Sequence, residues 1–179
     1  MENYKMNYTV VLPSYSVGTE AYHAVPTVTR RYGKKAVVVG GKTAMSKAKD
    51  ALLDALKGTG VEVLDFVWYG GNSTYENAEK LKNHPAVQQA DMVFAMGGGR
   101  AIDTCKVFCD ELDKPLFSFP TIASNCAPCT AISVMYNADD TFRDYYYPKT
   151  CPIHTFINTQ VIAEAPESLL WAGIGDALS

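Results

Sequence analysis

Three consecutive glycines stand inside the run MGGGRAIDTCK, Met96 to Lys106. Glycines at the junction between a strand and a helix let the backbone approach an anion closely, and the free N–H groups of the opening helix then face that anion, aided by the helix dipole. Arg100 adds a positive charge at the helix mouth, and Asp103 is placed to cap or orient the first turn. The same run also suits a plain tight turn that needs glycine for a positive φ. It is not the usual GxGxxG dinucleotide fingerprint, so phosphate binding and turn formation both remain open at this stage.

A second run, FPTIASNCAPCTAIS from Phe119 to Ser133, offers Thr121, Ser124, Asn125 and Thr130 as small polar groups for an amide or a hydroxyl. Ordinary turn chemistry uses the same residue types. Cys126 and Cys129 form a CxxC. A redox dithiol normally opens a helix, whereas Pro128 and TAISVMY point to a loop entering a strand. A structural zinc would need two further ligands, and there is no second CxxC or paired-histidine motif. Small pocket lining is the favoured role for this pair. His23, His84 and His154 share no metal-ligand spacing and read as surface or packing residues. No GxSxG elbow is present.

The elements that must position these runs alternate as β and α. KKAVVVGG (34–41) is a β-branched strand ending in glycines, and TAMSKAKDALLDALKGTG places Ala44, Ala48, Ala51, Leu52, Ala55 and Leu56 at helical spacing before Gly58 and Gly60. VEVLDFVWYG is a strand, and the helix NAEKLKNHPAV after it is interrupted by Pro85. ADMVFAMGGG then leads into a helix that buries Ile102, Cys105, Val107, Phe108, Cys109 and Leu112, and KPLFSFPTIA follows as a strand. Repeated βαβ units predict a Rossmann-like, doubly wound parallel sheet, beyond whose carboxyl strand ends both polar loops would lie. TAISVMYNADDTFRDYYYP reads instead as a hairpin around Asn137–Asp140, TFIN as a last strand, and Pro166 as the start of a helix through WAGIGDALS.

Composition bounds the partners. The chain has 179 residues, one domain's length, of which 47% are hydrophobic and 20% charged, a globular balance. A net charge of −3 without a basic stripe gives no reason to expect nucleic acid. No apolar run reaches membrane-spanning length, and the N-terminal stretch lacks the pattern of a signal peptide. Five cysteines without a secretory signal read as reduced thiols of a cytoplasmic protein.

GGGRAIDTCK, PTIASNCAP, TAISVMY and WAGIGDALS, in this order and at these intervals over nearly the whole chain, resemble the glycerol dehydrogenase branch of the iron-containing alcohol dehydrogenases. The Asn-Cys form of the second motif looks most like that branch's hydroxycarboxylate dehydrogenases. The resemblance implies an NAD- or NADP-dependent oxidoreductase acting on the CH–OH group of a small polyol or a 2-hydroxy or 2-oxo acid, with a divalent zinc or iron between a dinucleotide-binding α/β domain and an all-helical domain. It places Gly98, Gly99, Arg100, Ala101 and Ile102 on the diphosphate loop. Thr121, Ser124, Thr130, Ile132 and Tyr136 fall on cofactor contacts, Cys126 on a substrate contact, and Asp176 on the first metal ligand.

Two departures are visible. Gly40-Gly41-Lys42 stands where NAD-preferring members often carry an Asp, which makes NADP a live cofactor, and Cys126 stands where glycerol dehydrogenases carry an Asp that helps hold the polyol. The family's histidine ligands lie downstream of GIGDAL. Residues 1–165 are therefore expected to be the dinucleotide domain and 166–179 the first helix of an otherwise missing helical domain, with the chain an inactive cofactor-binding part. A non-catalytic nucleotide-binding or interaction module is the alternative. Leu169, Leu170 and Trp171 on an uncovered face would favour homo-oligomers.

Overall fold

The computed structural model describes residues 13–179, so most of the N-terminal stretch used to weigh a signal peptide lies outside the described residues. The framework is a six-stranded, all-parallel sheet in the order β1-β8-β5-β4-β2-β3. Its strands are β1 (Ser14–Gly18), β2 (Lys35–Gly40), β3 (Glu62–Trp68), β4 (Met92–Gly97), β5 (Leu116–Pro120) and β8 (His154–Asn158). β6 (Ser133–Tyr136) and β7 (Phe142–Tyr146) form the expected antiparallel hairpin apart from the sheet.

β2 and β4 are buried almost end to end because both faces are covered, which is why they read as unbroken apolar runs. Alternation divides their side chains. Ala36, Val38, Met92, Phe94 and Met96 point to one face and pack under α2 (Lys42–Leu56) and α1 (Val25–Thr29). Val37, Val39, Val93 and Ala95 point to the other, under α3 (Tyr75–Lys82), α4 (Pro85–Gln89) and α5 (Gly99–Glu111). Phe94, Phe117, Phe119 and Phe156 form the aromatic centre of the first face, with Phe119 and Phe156 stacked at 4.8 Å. Each such side chain removed from water contributes about 1.5–3 kcal/mol. The sheet is thus doubly wound, as read from the sequence.

Pro85 separates α3 from α4 rather than kinking one helix, with His84 capping the second by accepting from the Ala86 N–H at 3.3 Å. α6 (Thr159–Ala163) and α7 (Glu167–Leu178) complete the chain, with Pro166 just before α7 and no side-chain cap at its start. None of the described helices is long and apolar enough to cross a membrane.

The strand order creates the functional geometry. From β2 the chain steps outward to β3, then crosses back over β2 to place β4 on its other side. The turns leaving β2 and β4 therefore diverge to opposite faces, opening a crevice beyond Gly40 and Gly97.

Candidate functional site

The crevice is lined by Gly41, Ala44 and Tyr69 on one side and by Gly97, Gly98, Gly99, Arg100 and Ala101 on the other, with Ile122, Ser124 and Asn125 across its mouth. Its volume is about 350 Å³. Gly97 has φ 151°, a backbone conformation that disfavours a side chain, and a Cβ there would lie 3.2 Å from the Ala101 Cβ. A Cβ on Gly98 would come within 2.6 Å of Ile122, and one on Gly99 within 2.7 Å of Asn125 Nδ2. The glycines thus let two loops and the α5 terminus close on one another while keeping the space between them open.

α5 starts at this point, so the N–H groups of Gly99, Arg100 and Ala101 have no acceptor within the helix. Gly98 is the N-cap residue and provides no side-chain cap. Around this crevice the lining includes no carboxylate. An anionic diphosphate fits such a cradle.

A second, more apolar groove of about 310 Å³ adjoins the first, sharing Ala44, Gly98 and Ile122 with it. Thr121, Lys47, Val161 and Leu169 complete most of its wall. Leu169, expected among exposed residues, turns into this groove and is half-buried, whereas Leu170 and Trp171 are exposed. α7 crosses the loop so closely that a Cβ on Gly173 would lie 1.8 Å from the Ala123 carbonyl oxygen.

The expected cofactor residues divide into groups. Gly98, Gly99, Arg100, Ala101 and Ser124 line the crevice and Thr121 the adjoining groove. Ile102, expected on the diphosphate loop, is fully buried with its N–H donating to the Gly98 carbonyl at 3.2 Å, so neither its side chain nor its N–H faces the crevice. Thr130 and Ile132 lie behind α5, joined to Lys106, and the Tyr136 ring lies under the Arg100 guanidinium at 4.7 Å. Arg100 also pairs with Asp140 at 3.1 Å, which holds its charge at the rim. Asn125, expected to offer a polar group to an amide or a hydroxyl, closes the mouth of the crevice, and Gly41, noted in sequence only for the carboxylate missing there, lines its wall. Tyr69 and Ile122 were not singled out from sequence; their signal was positional, since they follow β3 and β5 at the same end of the sheet.

Asp103 corrects one expectation. Instead of capping the first turn it is buried, with Oδ1 3.0 Å from Lys106 Nζ and Oδ2 accepting from the Val134 N–H at 3.1 Å. Burial pushes the Asp103 carboxyl up and the Lys106 ammonium down, and the attraction between them opposes both changes.

Cys126 is exposed at the N-cap of a single 3-10 turn, Ala127–Cys129, and both thiols of the CxxC are unbridged. Cys129 Sγ lies 3.8 Å from Thr155 Oγ1. The histidines are apart: His23 pairs with Glu20 at 2.8 Å, His84 caps α4, and His154 is buried between β8 and β1. Asp176 is exposed on α7, and among the described residues no group of three or more His, Cys, Asp or Glu could hold a metal ion. Asp176 alone does not fit a catalytic metal, which takes about three protein ligands.

The parallel sheet with helices on both faces defines a Rossmann-like α/β domain, and the glycine-walled crevice opens at the sheet's carboxyl end. Residues 13–159 match the family model for iron-containing alcohol dehydrogenase, and the chain belongs to that family. It is 30% identical over 165 residues to a glycerol dehydrogenase of Escherichia coli, covering 92% of this chain and 45% of that protein. It is also 30% identical over 166 residues to a glycolaldehyde reductase of Halobacterium salinarum, covering 93% of this chain and 45% of the relative. The crystal structure of glycerol dehydrogenase from Schizosaccharomyces pombe superposes with a TM-score of 0.85 at 29% identity, over 97% of this chain and 44% of the other. The chain therefore spans a little under half the length of these relatives.

Proposed function

We propose that this chain is the cofactor-holding part of an NAD(P)-linked oxidoreductase acting on the CH–OH group of a small polyol or 2-hydroxy acid. The observation that carries the reading is the crevice at the divergence of β2 and β4, where glycines keep the unpaired α5 amides accessible. Those amides and the helix dipole would hold the diphosphate. The apolar groove past Ile122 would take a flat ring, with Thr121 and Ser124 supplying hydroxyls along the path. When bound, the nicotinamide supplies the hydride chemistry. The protein's own share is to hold the diphosphate and orient the ring system toward α7.

Relatives named for glycerol and glycolaldehyde support a small polar substrate. Cys126, exposed on the loop beneath α7, puts no carboxylate beside such a substrate, so the carboxylate of a hydroxy acid meets no side-chain carboxylate there. The described donors do not make a metal centre, so no step is assigned to one here.

The test is titration of NADH and NADPH into the chain, read by nicotinamide fluorescence. Saturable binding is expected, and Gly99→Val, whose side chain would press on Asn125 and fill the cradle, should weaken it by about 1.4 kcal/mol or more, tenfold or greater. Binding of neither nucleotide, or a valine variant that binds as the parent does, refutes the reading. The isolated position of Asp176 favours a second reading, a nucleotide-holding module without turnover. Substrate-dependent NAD(P) reduction by this chain with zinc or iron added would eliminate it.

A further inference from the structure

We infer that Asp103 and Lys106 are positioning residues, a buried clamp that fixes the loop after β5 and the first hairpin strand against the anion-facing helix. The inference rests on the cofactor reading above and concerns how that site keeps its shape.

Lys106 sits two turns into α5 with its side chain 1% exposed, and Asp103, 7% exposed, lies one turn before it. The donors of Nζ are spent on Asp103 Oδ1 at 3.0 Å, the Ile132 carbonyl at 2.7 Å and Thr130 Oγ1 at 3.4 Å. The other Asp103 carboxylate oxygen accepts from the Val134 N–H, and its backbone carbonyl accepts from Ser133 Oγ at 3.2 Å. Residues 130–134 are thereby tied to the helix whose first turn faces the crevice.

The same loop is fixed elsewhere by bonds of another kind. Its start is held where the Thr121 N–H donates to the Gly97 carbonyl at 3.2 Å, and its middle where Thr155 Oγ1 donates to the Pro128 carbonyl at 2.9 Å. Between these anchors lie Ser124 and Asn125, which close the crevice, and beyond them Tyr136 supports Arg100.

A buried ion pair is seldom the most stabilising way to fill such a space, because desolvation of both charges offsets their attraction, and apolar residues of similar volume often do as well. What apolar residues cannot supply is directed bonding to the Ile132 carbonyl and the Val134 N–H. Neither charged side chain lines the crevice, so both act through the loop.

Three forms of the full chain test the clamp: the parent, Lys106→Met, and Asp103→Leu with Lys106→Met. The single variant leaves a carboxylate buried without its cation and should melt well below the parent. The double variant removes both charges and should recover much of that loss. It is nevertheless expected to bind NADH and NADPH about tenfold more weakly, and its Val134 amide should exchange with solvent faster than the parent's. A double variant with recovered melting temperature, parental nucleotide affinity and parental Val134 protection overturns the inference. If it does not fold, Asp103→Asn, which keeps the volume and halves the clamp, must still weaken binding, and unchanged affinity overturns the inference equally. A parent chain that binds neither nucleotide sinks the cofactor reading instead. The clamp is then decided by exchange alone, and unaltered protection of Val134 and Asn125 in the double variant refutes it.

Discussion

Gly41 has room for a side chain where Gly40 has none. A Cβ on Gly40 would meet the Met96 carbonyl oxygen at 2.0 Å, while on Gly41, at φ −74°, the nearest atoms would be 3.7 and 3.8 Å away. The missing carboxylate at the end of β2 is therefore a choice of residue rather than a demand of the fold. Next to it, Lys42 Nζ stands 4.6 Å above the Trp68 ring, held near the crevice entrance by a cation–π contact. We propose that this arrangement admits a 2′-phosphate. Gly41→Asp should fold normally and shift the NADH to NADPH affinity ratio toward NADH by about tenfold, through repulsion of the 2′-phosphate. An unchanged ratio by fluorescence titration would detach nucleotide choice from this position. Tyr22 offers a test of stability alone. It is 1% exposed against Phe119, and among the described residues its hydroxyl has no hydrogen-bond partner; burial disfavours the phenolate and pushes its pKa up. Tyr22→Phe removes an unsatisfied buried group and should stabilise by about 1 kcal/mol, a rise of about 2–4 °C in melting temperature. A lower melting temperature would mean that the hydroxyl is satisfied after all.

At the scale of elements, burial on both faces made the central strands legible, since β2 and β4 could only be written in apolar residues. β1 escaped because it is an edge: the alternation in SYSVG is only five residues long, and its apolar members, Tyr15 and Val17, are the exposed ones. The five-residue helices α1 and α6 were equally silent, being too short to display a 3.6-residue period. What holds β1 is polar. His154 Nδ1 lies 2.6 Å from Ser14 Oγ and Nε2 2.9 Å from Ser16 Oγ, with Ser14 Oγ donating to the Ile153 carbonyl at 3.4 Å. That pattern assigns the neutral ring a proton on Nδ1, donated to Ser14, and an Nε2 that accepts from Ser16. Burial lowers the affinity of this ring for a second proton. The unfolded chain takes up that proton near pH 6.5, so the contribution of His154 to stability is complete above that value. It is lost as the pH falls below it toward the lower folded value. His154→Gln removes this titration while His23 and His84 remain in both proteins. Between pH 7.5 and 5.5 the parent should lose more melting temperature than the variant, and parallel curves would refute the assignment.

For the molecule as a whole, the doubly wound sheet and the end at which its crevice opens followed from the order of βα units. The Asp103–Lys106 clamp did not, because its partners are backbone groups some thirty residues onward and only the fold brings them together. The outer surface of α7 was half legible. Its residues have no buried side chain among them: Leu170 is 51% exposed, Trp171 62%, Ile174 42% and Leu178 83%. Trp171 keeps its Nε1 bonded to Glu167 at 3.1 Å, leaving the ring face outward. Contiguous apolar surface of this kind is uncommon on monomers and drives association. We expect the 19.5 kDa chain to self-associate through α7, with its scattering mass rising with concentration. Leu170→Lys with Ile174→Glu should return it to the monomer mass while changing stability by no more than about 0.5 kcal/mol per site, because neither side chain supports the core. A parent chain that stays monomeric at high concentration, or a charged variant that associates as the parent does, would show that this helix is not the adhesive face.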